Sequence, residues 1–295
     1  MSRASSALFV LVVLIVAACA SSGDEPPNTT PTNDSSVTTT QPGTDVTNDS
    51  FHLVVVGDSI PFAGFCPGCE GFVDQFAGKV EATTGRTVEV ANWSRNDSAN
   101  LAAIKRQVTD DGALRELLAT ADIVLVSVGY NDQLPWPTDR PCHSEQADTA
   151  EAEIAAVLLY TDSCIDATIE SYREDYEALF GEISALVPQP SMPLALTVYN
   201  NWLGYPGIEE FASADQLDQI AVLTKRTFDG WNTMLCDAGT AYGFACVDVY
   251  HAFNGDDGTE AAGDNLGDDY SHPSQQGNTV IADLLADIDL EPVTG

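Results

Sequence analysis

The sequence is poor in positive charge. Lysine occurs only at Lys79, Lys105 and Lys225, and Lys and Arg together number 11 against 45 Asp and Glu, a formal net charge of −34. Without a basic stripe the chain has nothing with which to displace counterions from a phosphate backbone, which excludes nucleic-acid binding. The same imbalance implies a self-repelling surface and a monomer at low salt. Histidine is scarce, with four residues, and no two stand at metal-ligand spacing. The one Cys-x-x-Cys, Cys66 to Cys69, has no second half, which argues against zinc. The acidic stretch from Asn254 to Asp269 lacks the alternating Asp pattern of a calcium loop. No metal and no cofactor is therefore expected. A membrane-spanning run is also missing: the apolar stretch from Ala7 to Ala18 has 12 residues, fewer than the roughly 18 a bilayer requires.

That short stretch follows Arg3 and ends in Val16-Ala17-Ala18-Cys19, which resembles a bacterial lipobox. Residues 1–18 fit a lipoprotein signal peptide, and Cys19 is the expected lipidation site and first mature residue. Residues 19–50 are mostly Ser, Thr, Pro, Asn and Asp, with almost nothing apolar to bury, and are expected to form a disordered tether. The folded domain is expected over 51–295, outside the cytoplasm in the cell envelope. Six further cysteines suit an oxidising compartment: Cys66, Cys69, Cys142, Cys164, Cys236 and Cys246. Six allow 15 connectivities, and pairing of sequence neighbours is the simplest.

The domain alternates strand and helix. Strands are expected at His52–Val56, Thr87–Ala91, Asp122–Val128, Leu194–Tyr199 and Phe244–Val249. Helical spacing falls around Phe72–Glu81, across Ala99–Leu118 with a break near Gly112, within Glu145–Leu159, and over Ile165–Leu186, Leu217–Cys236 and Ser274–Ile288. Five short apolar strands separated by helices predict a parallel sheet covered on both faces, an α/β domain. Such sheets bind ligands at the carboxyl ends of their strands.

Three short motifs fall at those ends: Gly57-Asp58-Ser59, Gly129-Tyr130-Asn131-Asp132 and Asp269-Tyr270-Ser271-His272-Pro273. A hydroxyl nucleophile needs a base within hydrogen-bond reach and a third group to hold the base's tautomer. Asp269 and His272, three apart on one loop, can meet without help from another element. Asn131 offers a neutral amide N–H for a developing oxyanion. Asp58, next to the serine, is expected to point away from it.

Together these motifs resemble blocks I, III and V of the SGNH (GDSL-type) serine ester hydrolases, over His52 to about Ile288. The resemblance implies a three-layer α/β/α sandwich with a five-stranded parallel sheet, flavodoxin-like, that hydrolyses carboxylic esters through an acyl-enzyme. Ser59 would be the nucleophile, His272 the base and then acid, and Asp269 its orienter. Ser59 N–H and the Asn131 amide would line the oxyanion hole. The family's block II glycine has no counterpart in Asn92–Ser98, and the alignment puts Asn96 in its place, on the premise that Asn tolerates left-handed backbone. The substrate class stays open among acyl lipids, acetylated glycans and small esters, as does transfer or glycan binding in place of hydrolysis.

Other residues are secondary. His251 is expected at a strand end, without the downstream Asp and Pro context, and is taken as structural. Pro135-Trp136-Pro137 and Trp202 either wall an acyl or sugar pocket or anchor loops by packing. The insertion between Cys142 and Cys164 follows Asn131 and is expected to overhang the site.

Overall fold

The computed structural model describes residues 50–137, 139–143 and 149–290. The expected signal segment, Cys19 and the tether up to residue 49 lie outside them. So do the first residues of the expected Glu145–Leu159 helix.

Five strands form one sheet, all parallel: β1 (Ser50–Gly57), β2 (Thr87–Asn92), β3 (Ile123–Ser127), β4 (Met192–Leu196) and β5 (Ala245–Val247), in the order β2-β1-β3-β4-β5. The helices are α1 (Phe72–Thr84), α2 (Leu101–Asp110), α3 (Gly112–Leu118), α4 (Ala150–Val157), α5 (Asp162–Leu186), α6 (Pro206–Glu209), α7 (Ala214–Ala241), α8 (Val249–Asn254) and α9 (Gln275–Ala286).

Strand side chains alternate between faces, and in the central strands β1, β3 and β4 both faces are buried. Val54, Val56, Val124 and Val126 join one core with residues of α2, α3, α5 and α7. Leu53, Val55, Ile123 and Leu125 join a second with residues of α1 and α9. This accounts for strands that are apolar at nearly every position. The three-layer α/β/α sandwich is therefore as expected.

The ends of two strands differ. β4 stops at Leu196 instead of Tyr199 because side chains take over the backbone there. Asn232 accepts from Val198 N–H at 2.8 Å, and Asn254 accepts from Asn200 N–H at 2.8 Å. β5 stops at Val247 because Asp248 caps α8, its carboxylate accepting from His251 N–H at 3.1 Å. His251 therefore sits in a short helix and not at a strand end.

The described cysteines are joined as sequence neighbours: Cys66–Cys69, Cys142–Cys164 and Cys236–Cys246. Among the described residues no helix is long and apolar enough to cross a membrane.

Candidate active site

The strand order reverses direction between β1 and β3, since β2 lies beyond β1 and β4 beyond β3. At such a switch point the connections leave toward opposite faces and open a crevice at the strands' carboxyl ends. Ser59 follows β1 and Asn131 follows β3, so both stand at this crevice.

Glycines let the two loops approach. A Cβ on Gly57 would meet the Ser127 carbonyl at 2.3 Å, so only glycine allows the ladder to continue as Asp58 N–H to Ser127 O, 3.0 Å. Gly129 has φ 120°, and a Cβ there would lie 2.2 Å from the Tyr176 hydroxyl. Both positions favour glycine for physical reasons.

The Asp58 side chain turns away from Ser59, as expected. It is buried and bridges the two loops, accepting from Ile60 N–H at 3.1 Å and Tyr130 N–H at 3.1 Å. Burial pushes its carboxyl up to about 7, against the lowering effect of those donors. Asp132 is also buried and accepts from Leu101 N–H at 2.6 Å, the start of α2; burial pushes it up to about 6. Neither buried carboxylate stood out as such in the sequence. Each belongs to a motif whose neighbouring residue drew attention first.

The third loop supplies a carboxylate and an imidazole. Asp269 Oδ1 accepts from Ser271 N–H and His272 N–H, both at 3.0 Å, while Oδ2 lies 2.7 Å from His272 Nδ1. Burial alone would raise the Asp269 carboxyl, but these donors and the imidazole hold it below the ordinary range. A carboxylate only accepts, so Nδ1 carries the proton and Nε2 is left with its lone pair. That nitrogen lies 2.9 Å from Ser59 Oγ, so the serine hydroxyl donates to it. Ser59 is 7% exposed, so this contact is partly withdrawn from solvent. Tyr270, between the two residues, takes a left-handed φ of 54°. The loop is held by Tyr199, whose hydroxyl donates to Ser271 O at 2.6 Å.

Asn131 is fixed by one amide N–H, which donates to Ala99 O at 3.0 Å, leaving its second N–H for another acceptor. The loop after β2 is docked on the first loop through Asn92 Nδ2 to Pro61 O, 2.8 Å, and Arg95 N–H to Gly57 O, 3.0 Å. The left-handed residue in it is Ser98, φ 57°, and not Asn96, which is exposed. The premise that placed Asn96 there is thus corrected.

A family model, the GDSL-like lipase/acylhydrolase family, matches residues 55–280 and so takes in all three motif loops. The chain belongs to this family. It is an ester hydrolase of the esterase and lipase type. Solved structures agree on the fold. A lipase from a goat rumen metagenome superposes with a TM-score of 0.57 at 16% identity, over 80% of this chain and 95% of that one. A catalytic mutant of an acetylxylan esterase from Geobacillus stearothermophilus gives 0.52 at 16% identity, over 81% and 95%. An α/β hydrolase from the metagenome of Lake Arreo, Spain, gives 0.50 at 20% identity, over 79% and 92%. No curated protein matches the sequence.

The remaining candidates of the hydrolase separate cleanly. His251 repeats the Asp-x-x-His pairing, Nδ1 to Asp248 Oδ2 at 2.7 Å, but among the described residues no hydrogen bond reaches its Nε2. Trp136 is fully buried, its indole N–H donating to Asp132 O at 3.0 Å, so it packs and does not line a pocket. Trp202 lines a cavity. Phe65 was not anticipated at all. Its ring stacks on His272, and nothing in the local sequence points to a partner 207 residues away.

Proposed function

We propose that this hydrolase cleaves carboxylic esters in two steps, with Ser59 as nucleophile, His272 as general base and acid, and Asp269 as the group that orients the imidazole. The observation behind this reading is the unbroken chain of contacts from Asp269 Oδ2 through His272 to Ser59 Oγ, 2.7 and 2.9 Å. Nε2 takes the serine proton as Oγ attacks the ester carbonyl, and the carboxylate steadies the imidazolium. The tetrahedral anion rests on Ser59 N–H and the free amide N–H of Asn131. Collapse expels the alcohol, which takes its proton from His272. Water then attacks the acyl-enzyme through the same groups and frees the acid.

The setting in this reading is the bacterial cell envelope. Residues 1–18 direct export, Cys19 anchors the chain to the membrane through lipid, and residues 19–50 link a monomeric domain to that anchor. Three disulfides in the domain are in keeping with a compartment outside the cytoplasm.

Hydrolysis of p-nitrophenyl esters from acetyl to palmitoyl, by wild type and Ser59→Ala, tests the reading. Activity lost in a folded Ser59→Ala protein supports it. Activity retained in that variant would overturn the assignment of the nucleophile. A folded wild type inactive on every ester would favour acyl transfer or binding instead.

A further inference from the structure

A cavity of about 300 Å³ adjoins the site, lined by Ser271 and Tyr130, the chain neighbours of His272 and Asn131. Its walls come from the segment after β3, the first turns of α4, the segment between β4 and α6, α6 itself and the loop that carries Ser271. Ile154 and Ile208, packed with Ile220, give it an apolar base and a support separate from the main cores. The Cys142–Cys164 disulfide spans the stretch that contains α4 and so limits its freedom.

The polar groups of this cavity are unusual for an acyl pocket. Gln133 lines it, but its amide nitrogen is buried, has no hydrogen-bond partner among the described residues and presents no surface to a ligand. Asn201, also in the wall, makes only long contacts, 3.4 Å to Tyr270 O and 3.5 Å to Ser271 Oγ. These are weak bonds that a ligand oxygen can replace. Glu153 adds a carboxylate, which burial raises above its ordinary range. Two aromatic residues complete the wall. Trp202 is half-buried, and the exposed Tyr205 meets Tyr270 edge-on, centroids 5.9 Å apart, which ties the cavity to the Asp269–His272 loop.

An acyl chain in this space would cover the Asn201 amide and the Glu153 carboxylate and return nothing to them. A sugar ring does the opposite. Its hydroxyls both donate and accept, so they can pair with Asn201 and Glu153, and its C–H faces pack on aromatic rings. We propose that this cavity binds the alcohol part of the ester as a sugar ring, which makes the substrate an O-acylated carbohydrate; the inference rests on Ser59 and His272 acting as assigned above.

The test compares kcat/KM on partly O-acetylated xylo-oligosaccharide with kcat/KM on p-nitrophenyl acetate, which has no sugar to place. In Asn201→Ala and Trp202→Ala the ratio of the two falls at least 10-fold, mainly through KM. Glu153→Gln shifts it in the same direction. Val222→Ala, on the exposed side of α7, leaves it unchanged. Melting temperatures within a few degrees of wild type exclude unfolding as the cause. An unaltered ratio in Asn201→Ala and Trp202→Ala overturns the proposal, as does a wild type that cleaves p-nitrophenyl palmitate and ignores the sugar ester. Titration of Ser59→Ala with the same oligosaccharide judges the cavity apart from catalysis. Saturable binding that the added Trp202→Ala change weakens at least 10-fold supports the proposal, and no binding refutes it. A wild type inactive on p-nitrophenyl acetate that still binds the sugar would instead fault the catalytic assignment.

Discussion

Phe65 lies flat on the imidazole of His272, ring centroids 3.8 Å apart and planes 12° from parallel. Phe65 adjoins the turn closed by Cys66–Cys69, in which Cys69 N–H donates to Cys66 O at 3.0 Å. The chain beyond that turn is tied to α9: Glu70 N–H donates to Gln275 Oε1 and Phe72 N–H to Asn278 Oδ1, both at 2.9 Å. Because α9 starts three residues after His272, both rings are held from one support.

This contact should matter most when His272 holds the serine proton, since a cation over an aromatic face gains about 0.5–1 kcal/mol at an exposed site. Phe65→Ala is therefore expected to lower kcat by about 2- to 5-fold, and Phe65→Tyr to retain the rate. Steady-state kinetics on p-nitrophenyl acetate decide it; a Phe65→Ala enzyme with wild-type kcat would show the stack to be incidental.

Asn131→Ala is expected to lower kcat by roughly 100-fold or more, the usual effect of deleting one oxyanion donor. Folding should change little, because among the described residues the side-chain bond lost is the one to Ala99 O. Undiminished turnover would take Asn131 out of the mechanism.

Gly129→Ala tests the support beneath Asn131. The added methyl would need space held by the Tyr176 hydroxyl, which donates to Val128 O at 3.0 Å, at a φ that L side chains rarely adopt. Overpacking of this kind destabilises by about 1–3 kcal/mol, and strained backbone adds to it. A lower melting temperature together with lost activity is the expected result; unaltered thermal unfolding would show that the loop yields freely.

Asp58 makes stability depend on pH. Its carboxyl sits at about 7 in the folded chain against 3.8 for the ordinary group, so between those values the native state holds a proton that the unfolded chain has released. Stability then falls as pH rises through this window. Asp132, at about 6, acts in the same sense. Asp269, held low, acts in the opposite sense and only as pH falls below about 3.8. The melting temperature is expected to rise as pH is lowered from 7.5 to 5, and to rise less steeply in Asp58→Asn. Equal slopes in the two proteins would show that general charge repulsion alone sets the trend.

Replacing both Cys142 and Cys164 by Ser opens a loop with a sequence separation of 22. Chain-entropy arguments give a loss of about 3 kcal/mol for loops near this length, which denaturant unfolding can measure. The sugar-to-nitrophenyl ratio should fall as well, since α4 walls the cavity; an unchanged ratio would mean that α6 and α7 hold α4 unaided.

Much of the protein was legible in the sequence because its signals are local. Strand-length apolar runs separated by helical periodicity require a parallel sheet buried on both faces, since no other arrangement covers strands that are apolar on each side. The Asp269–His272 pair was legible for a similar reason: two residues three apart on a tight loop meet whatever the rest of the chain does. The places where this reading slipped are strand ends whose backbone was claimed by side chains, distant ones for β4 and an adjacent one for β5. β4 ends early because Asn232 and Asn254 serve its backbone, and β5 ends early because Asp248 begins a helix.

Local patterns in the chain suffice for the layer architecture, the order of the motif loops and the chemistry each can offer. It takes the folded chain to bring Ser59 Oγ and His272 Nε2, 213 residues apart, within one hydrogen bond, to lay Phe65 over the imidazole, and to gather Gln133, Glu153, Asn201 and Trp202 around one cavity. The physical reason is that covalent connectivity fixes what neighbours in the chain can do, whereas the meeting of strand-end loops depends on how far each strand runs before its backbone bonds are claimed elsewhere.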